Sequence, residues 1–93
     1  MELRLAVKRE YFDAIKNGSK TEEYRLRNDY WRKRLGRGKR FTKVVITLGY
    51  PKADETDKIL TFPWVGWRVK KITHPHFGAD EVEVFAIIIG ETK

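Results

Sequence analysis

Ninety-three residues with a net charge of +7, 41% hydrophobic and 13% aromatic, are enough for one small domain spanning residues 1–93 with a core of modest size. The absence of cysteine excludes disulfides, thiolate zinc sites and a cysteine nucleophile. No apolar run approaches the ~20 residues of a membrane span, and the N-terminus lacks a signal-peptide core, so the expectation is a soluble cytoplasmic domain without membrane contact.

Leu3, Leu5 and Val7 alternate with Glu2, Arg4 and Ala6, which predicts a half-buried strand. Residues 9–17 place Phe12 and Ile15 three apart beside Ala14, and Gly18 follows where a helix ends, so a short amphipathic helix is expected. Residues 20–25 read as extended, because Thr21 and Tyr24 favour strands and the run is short. Asn28 or Asp29 can cap a second helix over Tyr30–Leu35 that stops at Gly36, and Gly36 to Arg40 reads as a flexible basic loop.

Residues 43–48 carry the strongest strand signal, a near-continuous apolar run that implies burial on both faces. A loop from Gly49 to Lys58 follows. Ile59–Phe62 and Gly66–Ile72 then read as strands on either side of Pro63, which cannot sit in a central ladder. His74 to Gly78 is a turn, and Val82–Ile89 a last buried strand. Two short helices near the N-terminal end and these strands predict an α+β domain, most simply a small partly closed β-barrel.

The charge is unevenly spread. Residues 24–43 hold nine basic side chains, mostly arginine, against the single acid Asp29, while the segments on either side are nearly neutral. Such a block suits a polyanion, since each phosphate contact releases counterions; the plainer alternative is a solvated face that keeps a small protein soluble. Aromatic residues are interleaved with the cations, the mixture that stacks on unpaired bases while tracking phosphates, although most rings in a small domain pack its core. Phe12, Phe41 and Phe85 are expected in the core. Trp31, between Tyr30 and Arg32, is the expected exposed ring, and Trp64 or Trp67 the ring expected to line a pocket.

Gly18-Ser19-Lys20-Thr21-Glu22-Glu23-Tyr24-Arg25 concentrates the chemistry. On an extended segment Thr21, Glu23 and Arg25 share a face, so Arg25 can hold the Glu23 carboxylate, and the long stem of Lys20 lets its ammonium reach the same cleft. An ion pair at a strand edge beside an exposed lysine fits the same spacing. Ser19 has no histidine and acid arrayed around it in sequence, His74 and His76 lack further zinc ligands, and Gly36-Arg37-Gly38-Lys39 does not match a phosphate-binding loop, so no metal or cofactor is expected.

Gly18, Lys20, Glu23 and Arg25 fit the Gly-x-Lys-x-x-Glu-x-Arg motif of the ASCH domains, relatives of the PUA fold, and the opening Leu-Ala-Val-Lys-Arg-Glu-Tyr-Phe-Asp-Ala-Ile-Lys-Asn-Gly resembles that family's lead-in. The resemblance implies a PUA-like barrel with a cleft beside the motif and a role in RNA binding, RNA processing or modified-nucleoside chemistry. Lys20, Glu23 and Arg25 are then the candidate catalytic or nucleotide-reading residues, with Thr21 secondary. Members that deacetylate acetylated cytidine share Lys20 and Thr21 but have threonine where this chain has Glu23; others are described as metal-dependent ribonucleases.

The leading expectation is an RNA-binding domain whose Arg27, Trp31, Arg32, Arg34, Arg37, Lys39 and Arg40 contact a single strand or a modified nucleotide. The alternatives are a hydrolase acting on RNA or a modified nucleoside, and a basic adaptor for an acidic protein.

Overall fold

The structure is a computed structural model that describes residues 1–36 and 41–89, in the order β1 (Glu2–Val7), α1 (Arg9–Asn17), β2 (Glu22–Leu26), α2 (Asp29–Leu35), β3 (Lys43–Leu48), β4 (Ile59–Pro63), β5 (Trp67–Ile72) and β6 (Val82–Ile88). Alternation decides β1: Leu3, Leu5 and Val7 are buried while Glu2 and Arg4 stay in solvent. Phe12 and Ile15 are the buried positions of α1, one helical turn apart. The helix ends at Gly18, whose φ of +89° is a left-handed value that a side chain would strain. Its backbone N–H bonds the Ile15 carbonyl, and two residues on the Lys20 N–H bonds the Ala14 carbonyl at 3.1 Å. The turn therefore fixes the point from which Lys20 projects.

Asn28 caps α2, its side chain accepting from the Trp31 N–H at 3.0 Å. Gly36 ends the helix for a different reason from Gly18. Its φ is an ordinary −71°, but a Cβ there would lie 2.5 Å from the Arg32 carbonyl oxygen. Arg37, Gly38, Lys39 and Arg40, the rest of the expected basic loop, lie outside the described residues.

The strands form two three-stranded sheets, ordered β1-β3-β4 and β2-β6-β5. In the first, β1 runs parallel to β3 with Leu3 opposite Val44 and Leu5 opposite Ile46, and β4 joins β3 antiparallel. The second is antiparallel throughout, with Glu23 opposite Ile87 and Arg25 opposite Phe85. β3 and β6 are the central strands and are buried on both faces, in keeping with their continuous apolar sequences. Pro63 closes β4, an edge strand, where its missing N–H costs no ladder bond.

The core joins Leu3, Leu5 and Val7 to Phe12, Ile15, Leu35, Val44 and Ile46 and to Phe85, Ile87 and Ile89 of the other sheet. Each large apolar side chain buried this way contributes about 1.5–3 kcal/mol before chain entropy is set against it. The α+β class is as expected. No ladder joins the two three-stranded sheets among the described residues. Where β2 approaches β1, a side chain makes the link instead, as Arg25 donates from Nη2 to the Ala6 carbonyl at 3.1 Å. No described helix is long and apolar enough to cross a membrane.

Candidate functional site

The gap between the edge strands β1 and β2 is a cavity of roughly 300 Å³. Its lining comes from separate stretches: Ala6, Val7 and Lys8 at the end of β1, Tyr11 of α1, Lys20, then Glu23, Tyr24 and Arg25 of β2, the Gly49–Tyr50 turn after β3, and His74 and Phe77. Strand alternation points Glu23 inward, where only 5% of it remains exposed. Burying a lone carboxylate is costly, and here the charge is matched on both oxygens. Arg25 Nη1 donates to Oε2 at 2.7 Å, and Lys20 Nζ stands 3.6 Å from Oε1. The first contact is a short charge-assisted bond. The second is longer than a hydrogen bond, which leaves Oε1 able to accept from a further donor.

Lys20 is held by more than Glu23. Its ammonium lies 4.6 Å from the Tyr24 ring centre and 5.3 Å from that of Tyr11, so two ring faces steady it over the cavity. His74 packs among the same rings, 5.8 Å from Tyr11, 6.2 Å from Tyr24 and 6.0 Å from Phe77, centre to centre. Burial, followed by the charges of Glu10 and Glu23, pushes the Tyr11 hydroxyl above its ordinary pKa. Burial together with the Glu22 carboxylate does the same for Tyr24, keeping both phenols protonated at neutral pH. Tyr50 stands at the mouth with 95% of its surface exposed.

The three residues of the sequence motif thus converge: Lys20, Glu23 and Arg25 form one linear ion-paired group on the wall of one cavity. Thr21 does not join them. It is exposed, lines neither hollow described here, and its carbonyl accepts the Ile89 N–H at 2.8 Å, which extends the β2–β6 pairing.

The basic residues divide. Arg27 pairs with Glu83 across the sheet at 3.0 Å and Arg32 with Asp29 at 3.7 Å, so both are balanced locally and lie outside the cavity. Arg34 instead lines an adjoining groove of roughly 500 Å³ with Arg4, Tyr30 and Trp31, and Ala6, Arg25 and Tyr50 belong to both hollows. Arg37, Lys39 and Arg40 lie outside the described residues.

Trp31 differs from expectation. It is half-buried and packs against the core, because residues of a short helix that follow the cap turn one side to the sheet, and Tyr30 is the exposed ring beside it. Neither Trp64 nor Trp67 lines the cavity or the groove: Trp64 packs on Phe41 with ring centres 5.0 Å apart, and Trp67 sits edge-on to Phe85 at 4.9 Å. Sequence reasoning missed Tyr11, Tyr24, His74, Phe77 and Tyr50 as cavity residues. The signal for Tyr11 was present, since it lies one position before the core residue Phe12 and therefore at the border of the buried face of α1. For the others only the tertiary fold brings them together.

Among the described residues no three His, Asp or Glu side chains gather as a metal-ligand set. The chain matches no family model, no curated protein and no solved structure.

Proposed function

We propose that the cavity accepts one base of an RNA and that the chain is an RNA-binding domain of the ASCH, PUA-like kind. The observation that carries this reading is the convergence of Lys20, Glu23 and Arg25 on a base-sized hollow walled by aromatic rings. At roughly 300 Å³ it stands at the small end of ligand pockets, the range of a base or nucleoside rather than a folded partner. Rings supply stacking faces that any base can use. A carboxylate with one oxygen open to a further donor accepts from a ring or exocyclic N–H, and the Lys20 ammonium donates to a carbonyl. The net basic charge draws the strand to the surface. The barrel closure expected of a PUA-like domain belongs to this proposal, with Arg25 bridging the two strand edges in place of a ladder.

One observation favours a second reading, hydrolysis of a modified nucleoside or of RNA. Lys20 Nζ and Glu23 Oε1, 3.6 Å apart, set a cation and an acceptor side by side on the cavity wall, where a carbonyl and a water in the cavity would face both. For an acetylated nucleoside, Lys20 would polarise the carbonyl, Glu23 would take the proton from the attacking water and pass it to the departing amine as the C–N bond breaks, releasing acetate.

The test compares wild type with Glu23→Gln and Lys20→Met against single-stranded RNA, heparin and acetylated cytidine. Base reading predicts that RNA is preferred to heparin and that Glu23→Gln weakens RNA binding about tenfold or more, as expected for a lost charge-assisted hydrogen bond. Hydrolysis predicts turnover of the nucleoside that falls by about 10²–10⁴ in the same variant while affinity stays within a few-fold. RNA and heparin binding of equal strength, unchanged in both variants, would leave the cavity without a role and point to an acidic partner.

A further inference from the structure

The groove beside the cavity has a one-sided charge. Arg4, Arg25 and Arg34 line it, and among the described residues no carboxylate does. The guanidinium carbons of Arg25 and Arg34 lie 5.6 and 5.4 Å from the Trp31 ring centre, so the half-buried indole serves as the platform on which two cations are set. Arg34 is oriented further by donating to the Tyr30 hydroxyl at 3.0 Å and to the Arg4 carbonyl at 3.4 Å. These bonds use two of its five N–H groups, and a guanidinium fixed in this way offers the rest in a plane that suits an oxyanion. Arg4 stays in solvent and is paired with Glu2 at 3.6 Å. Arg27 and Arg32 line neither hollow and pair with Glu83 and Asp29 instead.

From this we infer that the cavity's ligand is a nucleotide within a strand rather than a free nucleoside, with the neighbouring phosphates held in the groove by Arg4 and Arg34. The inference rests on the base-reading proposal for the cavity. Continuity of the two hollows favours a strand over an acidic polypeptide: Ala6, Arg25 and Tyr50 line both, so a base on the cavity side is joined to anions on the groove side without a break. Tyr50, exposed at that junction, is placed to stack on the base next in line. Arg25 is already committed to Glu23 and to the Ala6 carbonyl, which makes it the partition between base and phosphate rather than the main phosphate contact.

The experiment measures binding of a fluorescein-labelled single-stranded RNA nonamer of mixed sequence across a range of salt, alongside calorimetry with the four free nucleosides. Arg4→Gln with Arg34→Gln should lower the slope of log K against log salt by about 1.4, and affinity at 0.1 M salt by about 25-fold, while nucleoside binding is unchanged. Arg4→Gln alone, which leaves the Trp31 platform intact, should lower the slope by about 0.7. Lys71→Gln, which lines neither hollow, should change neither. Unchanged slope and affinity in the groove variants, with RNA binding still weakened by Glu23→Gln, overturns the groove and leaves the cavity reading standing. Wild-type protein that binds neither the nonamer nor any nucleoside overturns both. Polyglutamate bound as tightly as RNA and lost equally in the double variant assigns the groove to an acidic protein and overturns the proposal.

Discussion

The two faces of β2 hold the same side chain in different surroundings. Glu23 points into the cavity, where Arg25 and Lys20, each less than a fifth exposed, flank it. Glu22 points the other way and ties the two edges of its sheet together through partners that stay in water: Lys70 at 2.7 Å and Arg68 at 3.3 Å, both from β5, with the Tyr24 hydroxyl as a third donor at 3.2 Å. A desolvated pair that loses one member strands an uncompensated charge, whereas exposed cations that lose their acid are simply hydrated. Adjacent glutamates therefore contribute differently: one fixes the electrostatics of a hollow, and the other fastens strands.

The sharpest way to break that contrast is to remove the arginine on the buried side. Arg25→Ala leaves the Glu23 carboxylate and the Ala6 carbonyl short of donors, and about 3–5 kcal/mol of stability should be lost in a urea melt. A loss no greater than that of an ordinary surface substitution would show that water enters the cavity freely and solvates Glu23. Next in size is Trp31→Ala. As a half-buried ring against the core it should cost about 2 kcal/mol, roughly half of what a fully buried tryptophan loses, and should loosen Arg34 as well. A neutral result would mean that the platform beneath the cations contributes nothing to the fold.

Glu22→Gln is the smallest effect and the one with a pH signature. Burial alone would raise the Glu22 carboxyl, but the hydrogen bond and charge of Lys70, the Tyr24 hydroxyl and Arg68 outweigh it and hold the group below its ordinary value. A carboxyl whose pKa is lower in the folded state than in the unfolded state adds stability above the ordinary carboxylate range, and that stability fades as pH falls through the range. Wild type should therefore exceed Glu22→Gln near neutrality by several-fold less than the Arg25→Ala loss, and the two melting curves should converge on acidification. A gap that persists at low pH would assign the difference to packing rather than charge.

How far this contrast was legible in the sequence depends on the reach of each cause. Alternation acts over neighbouring residues, so Glu23 and Arg25 on one face and Glu22 on the other could be read directly, and the glycine after Phe12 and Ile15 marked the turn that launches Lys20. Burial on both faces of β3 followed from its unbroken apolar run. The partner strands could not be read, because parallel β1–β3 pairing and the division into two sheets depend on how strands of both sheets share one core. The walls of the cavity were hidden for the same reason: Tyr11, Tyr50 and His74 come from distant stretches with no common period. Arg4 lies outside the basic block, which begins twenty residues later, while the groove takes its cations from β1, β2 and α2.

The order of pairing carries a consequence for how the protein is made. Each sheet draws on strands from both halves of the sequence, and β2, which carries Glu23 and Arg25, pairs among the described residues with β6. Contacts of such long sequence separation form late and slowly, since a large loop must close before any bond repays its entropy. On the ribosome, a nascent chain that has reached β5 already holds Lys20, Glu23 and Arg25 but lacks the strand that sets their register. Until β6 emerges, β2 is an unpaired edge with three charged residues, Glu22, Glu23 and Arg25, waiting on it.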